Sequence, residues 1–218
     1  VIEKEFVSLV TPAILYDFED AKIPEDFSFY VGDKGTVNPN AGAEFNEQGW
    51  GIFNLGKHEM LGEHLLAGTS WIDGATPDRW IILPQVKVTD ENTYFAWDAN
   101  SFNAYGNLDS YNVKVSDGST NPADYWYTSE AKISNENTTP KTRGISLGKY
   151  NGKNIAVAFN IVSKKGEALC LDNLGFYGGI EKVATGIKDI ANDFGLDAPE
   201  YEAAKIFFSQ NPSPSRLY

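Results

Sequence analysis

Asn151-Gly152-Lys153-Asn154-Ile155-Ala156-Val157-Ala158-Phe159-Asn160-Ile161 reads as a turn that opens a β-strand. Asn-Gly is turn chemistry, because both residues tolerate the left-handed backbone that a tight reversal needs. Ile155, Val157, Phe159 and Ile161 then alternate with Ala156, Ala158 and Asn160. Period two is the signature of a half-buried strand. Working outward, Tyr111, Val113 and Val115 alternate in the same way with Asn112, Lys114 and Ser116. Trp80-Ile81-Ile82-Leu83 and Leu169-Cys170-Leu171 are apolar at every position and read as central strands covered on both sides. Further strands are expected over residues 6–10, 14–18, 27–31, 50–55 and 93–97. Turn signals separate them: Asp33-Lys34-Gly35, Asp73-Gly74, Asp117-Gly118 and Lys165-Gly166. About ten short strands with this punctuation predict an all-β fold, a jelly-roll-like antiparallel β-sandwich.

The chain has 218 residues, of which 42% are hydrophobic and 13% aromatic. That suits a globular domain large enough to bury a core without a metal or a disulfide. The stretches 38–48 and 134–143 are rich in Asn, Gly, Glu and Thr and read as loops. After Gly178-Gly179 the pattern changes: Ile180, Val183, Ala184, Ile187, Ile190, Ala191 and Phe194 follow a helical spacing that Gly186 works against. The sandwich is therefore placed at residues 1–179, with 180–218 as a short linker and appendage in which a helix can form.

Thirty acidic against eighteen basic residues give a net charge of −12. That field repels phosphate backbones and anionic lipid, so nucleic acid is a poor partner. No apolar run reaches the length of a membrane span, and membrane insertion is not expected. The single cysteine, Cys170, sits in an apolar run with no basic neighbour to activate it, and reads as a small core residue.

His58-Glu59-Met60-Leu61-Gly62-Glu63-His64 does not meet the zinc-protease pattern. That pattern needs histidines four apart on one helical face, and Gly62 stands at the required second position. Glycoside hydrolysis needs two carboxylates flanking a bond. Asp98 and Asp109, or Glu59 and Glu63, are pairs of the sort that thirty acids supply by chance. No Gly-x-Ser-x-Gly elbow and no phosphate-cradling glycine loop is present. Among the five tryptophans, Trp80 and Trp97 lie in strand-like runs and are expected in the core. Trp71 and Trp126, with Tyr127, lie near turns, where a rigid ring can stack on a sugar or peptide. Asp17, Glu19 and Asp20 cluster at the end of an early strand, where Asp17 and Glu19 would share one side. A cation such as calcium, which prefers hard oxygen ligands, would relieve their repulsion.

Several runs, in order, resemble the cleaved-adhesin, or choice-of-anchor J, family of Bacteroidetes-type surface proteins. They are Asp17-Phe18-Glu19-Asp20 with Pro24, Asp78-Arg79-Trp80-Ile81-Ile82-Leu83-Pro84-Gln85-Val86, Tyr94-Phe95-Ala96-Trp97, Tyr150-Asn151-Gly152-Lys153 leading into residues 154–159, and Leu169-Cys170-Leu171-Asp172-Asn173-Leu174. The resemblance spans roughly residues 14–178. It implies a jelly roll in which calcium sits near the joined start and end of the domain, with Glu19 and Asp172 as ligands. Asp17 is added by spacing. Asn173 stands where the family's closing motif has a second aspartate, and the family's Asp-Gly-Asp-Gly loop is missing; Gly32-Asp33-Lys34-Gly35 is the nearest run. Asn211-Pro212-Ser213-Pro214-Ser215-Arg216-Leu217-Tyr218 resembles the start of a type IX secretion sorting domain. The expectation is a secreted or cell-surface protein whose signal peptide has been removed, monomeric and not an enzyme. It would bind carbohydrate or a host protein through Trp71, Trp126 and Tyr127. A jelly-roll glycosidase or lyase, and a structural spacer domain, are the alternatives.

Overall fold

A computed structural model describes residues 11–56, 61–102, 106–119, 121–122 and 128–183. The expected strand at 6–10, the His58-Glu59 run, Trp126, Tyr127 and the C-terminal 184–218 lie outside them. The chain divides into two units, Val1–Lys182 and Val183–Tyr218, and the fold described here is that of the first.

Two antiparallel sheets face each other. One runs β12 (Lys141–Ser146), β9 (Tyr94–Phe102), β15 (Ala168–Tyr177), β5 (His64–Gly68), β4 (Trp50–Asn54), with β1 (Ile14–Tyr16) also paired to β15. The other runs β11 (Thr128–Ile133), β10 (Tyr111–Val115), β14 (Val157–Ile161), β7 (Arg79–Ile82), β2 (Ser28–Val31). A small third sheet joins β13 (Asn154–Ile155), β8 (Val86–Val88) and β16 (Ile180–Lys182), and β3 (Thr36–Val37) pairs with β6 (Ile72–Asp73). The all-β sandwich read from the sequence is thus the fold.

Alternation places the core. Tyr111, Val113 and Val115 of β10 and Val157, Phe159 and Ile161 of β14 meet Phe95, Trp97 and Ala99 of β9 and Leu169, Leu171, Leu174 and Phe176 of β15. Phe159 is edge-on to Trp97 at 5.6 Å between ring centres. A polar chain threads the edge of this layer: Trp97 Nε1 donates to Tyr111 Oη, which donates to Glu136, itself held by two guanidinium nitrogens of Arg143.

Four differences from the sequence reading have local causes. The run 154–161 is not half-buried: Ala156 and Ala158 are fully covered, packed with Trp80 and Ile82. The strand also divides at Ala156, whose amide is taken by Ser116 Oγ, so β13 and β14 enter different sheets. Lys141–Ser146, partly read as loop, pairs along β9. Ile180–Lys182, read as the start of the linker, is the strand β16 and pairs with Val86–Val88. Within β7, Arg79 is 1% exposed. Its guanidinium grips Asp33 through two bonds of 2.7 and 2.8 Å and donates to the carbonyls of Glu47 and Gly35. A buried cation is tolerable only when every donor is met in this way.

Candidate functional site

Two regions carry chemistry. The first lies on β15, the closing strand. Its edge is shared by β5, which pairs Leu169–Leu171, and β1, which pairs Leu174–Phe176. Between them Asp172 and Asn173 are left to other partners, and Asn173 adopts φ 50°. Asparagine tolerates that left-handed conformation better than most residues. Into this gap come Gly62 and Glu19. Gly62 N–H donates to Asp172 Oδ2 at 2.7 Å, and Asn173 N–H donates to Asp172 Oδ1 at 2.7 Å. His64 N–H points at Glu19 Oε1 at 3.4 Å. A β-carbon on Gly62 would stand 1.7 Å from Glu19 Oε1 and 3.5 Å from Asp172 Oδ2, so both carboxylates lie close over the glycine and a side chain there would displace that of Glu19. Asp98 adds a third acid, its Oδ2 accepting from Asn173 Nδ2 at 2.9 Å.

Burial pushes the Asp172 carboxyl up to about 6, against its amide donors, and the charges of Asp98 and Glu19 push the same way. An aspartate in place of Asn173 would lose the donor to Asp98 and add another negative charge, which accounts physically for the asparagine. The strand stops at Tyr16 and Phe18 turns left-handed at φ 56°, so Asp17 and Glu19 do not sit on one strand face as the sequence reading had them. Asp17 Oδ1 instead faces the amide of Glu19 at 3.4 Å. Among the described residues no group of three or more His, Cys, Asp or Glu side chains is gathered into a ready metal cage.

The second region is the outward face of the five-stranded sheet. Trp80, Asn112, Lys114 and Asn160 lie there, opposite in parity to the core residues of their strands. Trp80 is buried, as its strand position implied, but it packs on this outer side. Its indole donates to Asp78 Oδ1 at 2.6 Å, Asn160 Nδ2 donates to the same oxygen at 2.8 Å, and Asn112 Nδ2 donates to Asn160 Oδ1 at 3.3 Å. The half-buried Tyr30 stands edge-on to Trp80 at 6.2 Å. Lys114 Nζ lies over the Trp80 ring, 4.8 Å from its centre.

Trp71, expected as a stacking platform, is half-buried; its amide donates to Thr69 Oγ1 and its carbonyl accepts from Asn38. Trp126 and Tyr127 are outside the described residues. The acid pair Asp98 and Asp109 does not flank a cleft. Asp109 is fully buried, its oxygens accepting from the hydroxyls of Ser70, Ser101 and Ser163, and burial raises it to about 6 despite those donors. Cys170 is buried too, and burial pushes its thiol up to about 12. The outer-face cluster was missed because a Trp inside an apolar run reads as core. The signal available was the alternation of Asn112 and Lys114 with the apolar residues of β10.

Solved structures resemble this fold. The K2 cleaved adhesin domain of Lys-gingipain is 18% identical, with a TM-score of 0.53 over 76% of this chain and 99% of that one. The K3 domain of the Porphyromonas gingivalis protein is 15% identical, with a TM-score of 0.55 over 78% and 100%. The fold is adhesin-like. The CBM22-1 xylan-binding domain of Paenibacillus barcinonensis Xyn10C is 12% identical, with a TM-score of 0.50 over 80% of this chain and 97% of that one. No family model matches the chain, and no curated protein matches it in sequence. No helix among the described residues is long and apolar enough to cross a membrane.

The raised carboxyls set a pH dependence. Asp172 and Asp109 bind protons more tightly folded than unfolded, so the stability they confer is complete below about pH 4 and lost as pH rises through about 6. Asp33, which Arg79 and two amides hold below the usual range in spite of burial, acts oppositely, losing its contribution only as pH falls below about 4. In chelator, the melting temperature is therefore expected to be higher at pH 5 than at pH 7.5. Asp109→Asn should remove its share, which between pH 5 and 7.5 is on the order of 1–2 kcal/mol. A melting temperature that is flat over this range, or that falls towards pH 5, would contradict the assignment.

Proposed function

We infer that this domain is a non-catalytic, secreted or surface-displayed module that binds carbohydrate through the outer face of its five-stranded sheet. The observation that carries the reading is the half-buried Tyr30 ring, backed edge-on by the buried Trp80 and bordered by the half-buried Asp78 and Asn112. Sugars are recognised by this combination, because C–H faces pack on aromatic rings while fixed amides and carboxylates meet the hydroxyls. The likeness to adhesin and xylan-binding domains supports a binding role without naming the ligand. A glycan array should give binding that Tyr30→Ala weakens by about tenfold or more, equivalent to about 1.4 kcal/mol, with little change in melting temperature. Binding unchanged by Tyr30→Ala would move the site elsewhere, and an array with no binding would sink the carbohydrate reading.

The β15 gap fits a structural calcium ion in part. Glu19 and Asp172 would hold it over Gly62, and backbone carbonyls and water would complete the six to eight oxygens that calcium takes at about 2.3–2.6 Å. The ion would neutralise charge that otherwise raises Asp172. It would also tie the segment after β1 to β15. Because only the folded chain brings the two carboxylates together, calcium at about a hundred times its dissociation constant should add about 2.7 kcal/mol. In a chain of this size that is a rise in melting temperature of roughly 5–10 °C. Glu19→Gln and Asp172→Asn should each abolish the rise. Identical melting temperatures with calcium and with chelator would remove the ion from the account.

A further inference from the structure

Both sheets end at one seam. β11 is the outermost strand of the five-stranded sheet and β12 of the six-stranded one, and among the described residues neither has a partner on its outer side. Between these edges lies a cleft of about 620 Å³. Ala131 and Ile133 of β11 and Ile145 of β12 line it, all three packed with the core. They belong to inward-facing rows, paired with Val113, Tyr111 and Phe95 in turn. Arg143 stands two residues before Ile145, in the same inward row of β12, and lines the cleft too.

Arg143 is held from beneath. Its Nε and Nη2 donate to the two oxygens of the buried Glu136, both at 2.6 Å. Glu136 is fixed in turn by Tyr111 Oη and the amide of Asn137. A guanidinium carries five N–H donors, so a second parallel pair, on Nη1 and Nη2, is left over. Among the described residues that pair meets no acceptor. Glu130, which lines the same cleft, is already taken by Lys149 Nζ at 2.7 Å and Tyr150 Oη at 2.6 Å. The Arg143 side chain is 22% exposed, so its open edge is within reach of a ligand. Cations on edge strands commonly blunt them against aggregation, and the exposed Lys132 and Lys141 suit that purpose. Arg143 differs in being aimed. A buried carboxylate already locks its rotamer, so gripping a second carboxylate loses little further side-chain freedom.

We propose that this cleft receives an extended peptide segment of a partner protein, added along the free edge of β12, with one Asp or Glu carboxylate on the open edge of Arg143 and an aliphatic side chain two residues away against Ile133 and Ile145. Strand addition meets the unpaired backbone groups of an edge strand. The period of two in the added strand repeats the spacing from Arg143 to Ile145. A single acid is favoured over an acidic run, because a chain of net charge −12 repels a polyanion at long range.

Selection of random linear peptides displayed on phage, against the immobilised protein, followed by fluorescence anisotropy of the selected peptides in labelled synthetic form, tests this. The expected result is a set of binders that carry Asp or Glu with Val, Ile or Leu two positions away. Exchanging that acid for its amide in the peptide should weaken binding about tenfold or more, the scale of one charge-assisted pair. Arg143→Lys, which keeps a cation on Glu136 but has no second edge, should do the same. Tyr30→Ala, on the outer sheet face, should leave peptide binding unchanged, which separates this cleft from the glycan surface. If the melting temperature shows that Arg143→Lys does not fold, the amide exchange in the peptide decides by itself. A selection that yields no such peptide overturns the proposal. So do binders that keep their affinity after the amide exchange or in folded Arg143→Lys.

Discussion

The closing strand β15 is the constraint on which the rest depends. Over ten residues it is hydrogen-bonded to β9 on one side, and to β5 and then β1 on the other. Every residue of it but Asn173 is buried. A strand enclosed in this way fixes the register of its neighbours, since a shift of one residue would turn Leu169, Leu171 and Cys170 to the wrong faces. Its single irregularity lies between Asp172 and Gly175, where the pairing with β9 shifts. There residues 14–19 meet the closing strand, and there Glu19, Asp98 and Asp172 converge.

Two ion pairs, each with a buried carboxylate, hold loops to the sandwich. Arg79 ties the 33–47 region to β7, and Glu136 joins the loop before β12 to Arg143, Tyr111 and, through that hydroxyl, to Trp97. These links are directional where the hydrophobic core is not. They fix how the loops leave the sheets, at the cost of desolvating charges that must all be matched.

Much of the sandwich was legible because alternation and turn residues are local signals. Tyr111–Val115 and Trp50–Asn54 form strands where the pattern placed them. The glycine-ended His64–Gly68 and the polar Thr128–Ile133 were not legible. One has a short apolar run beside a loop, and the other alternates weakly because it is an edge strand with water on one side. The meeting of Glu19 with Asp172 followed from family resemblance, not from spacing, since 153 residues of chain separate them. Their approach over Gly62, and the part of Asp98, depend on strand pairing that a one-dimensional pattern does not contain. Trp80 hid its outer-face position inside an apolar run. The direction of a strand side chain is fixed only once register is known.

The surface read from the sequence, around Trp71, and the one built by the fold, around Tyr30 and Trp80, are different faces of the problem. Trp71 is engaged through its backbone by the Thr69 hydroxyl and the Asn38 amide, whereas Tyr30, Asp78, Asn112 and Asn160 form a continuous polar and aromatic strip across four adjacent strands. Amide chemical-shift mapping by NMR, with an oligosaccharide that binds on the glycan array titrated into the isotope-labelled protein, separates the two most directly. The account predicts that the largest perturbations fall on β2, β7, β10 and β14, with the Trp80 indole proton among them. Perturbations confined to residues around Trp71, with that strip unmoved, would contradict it.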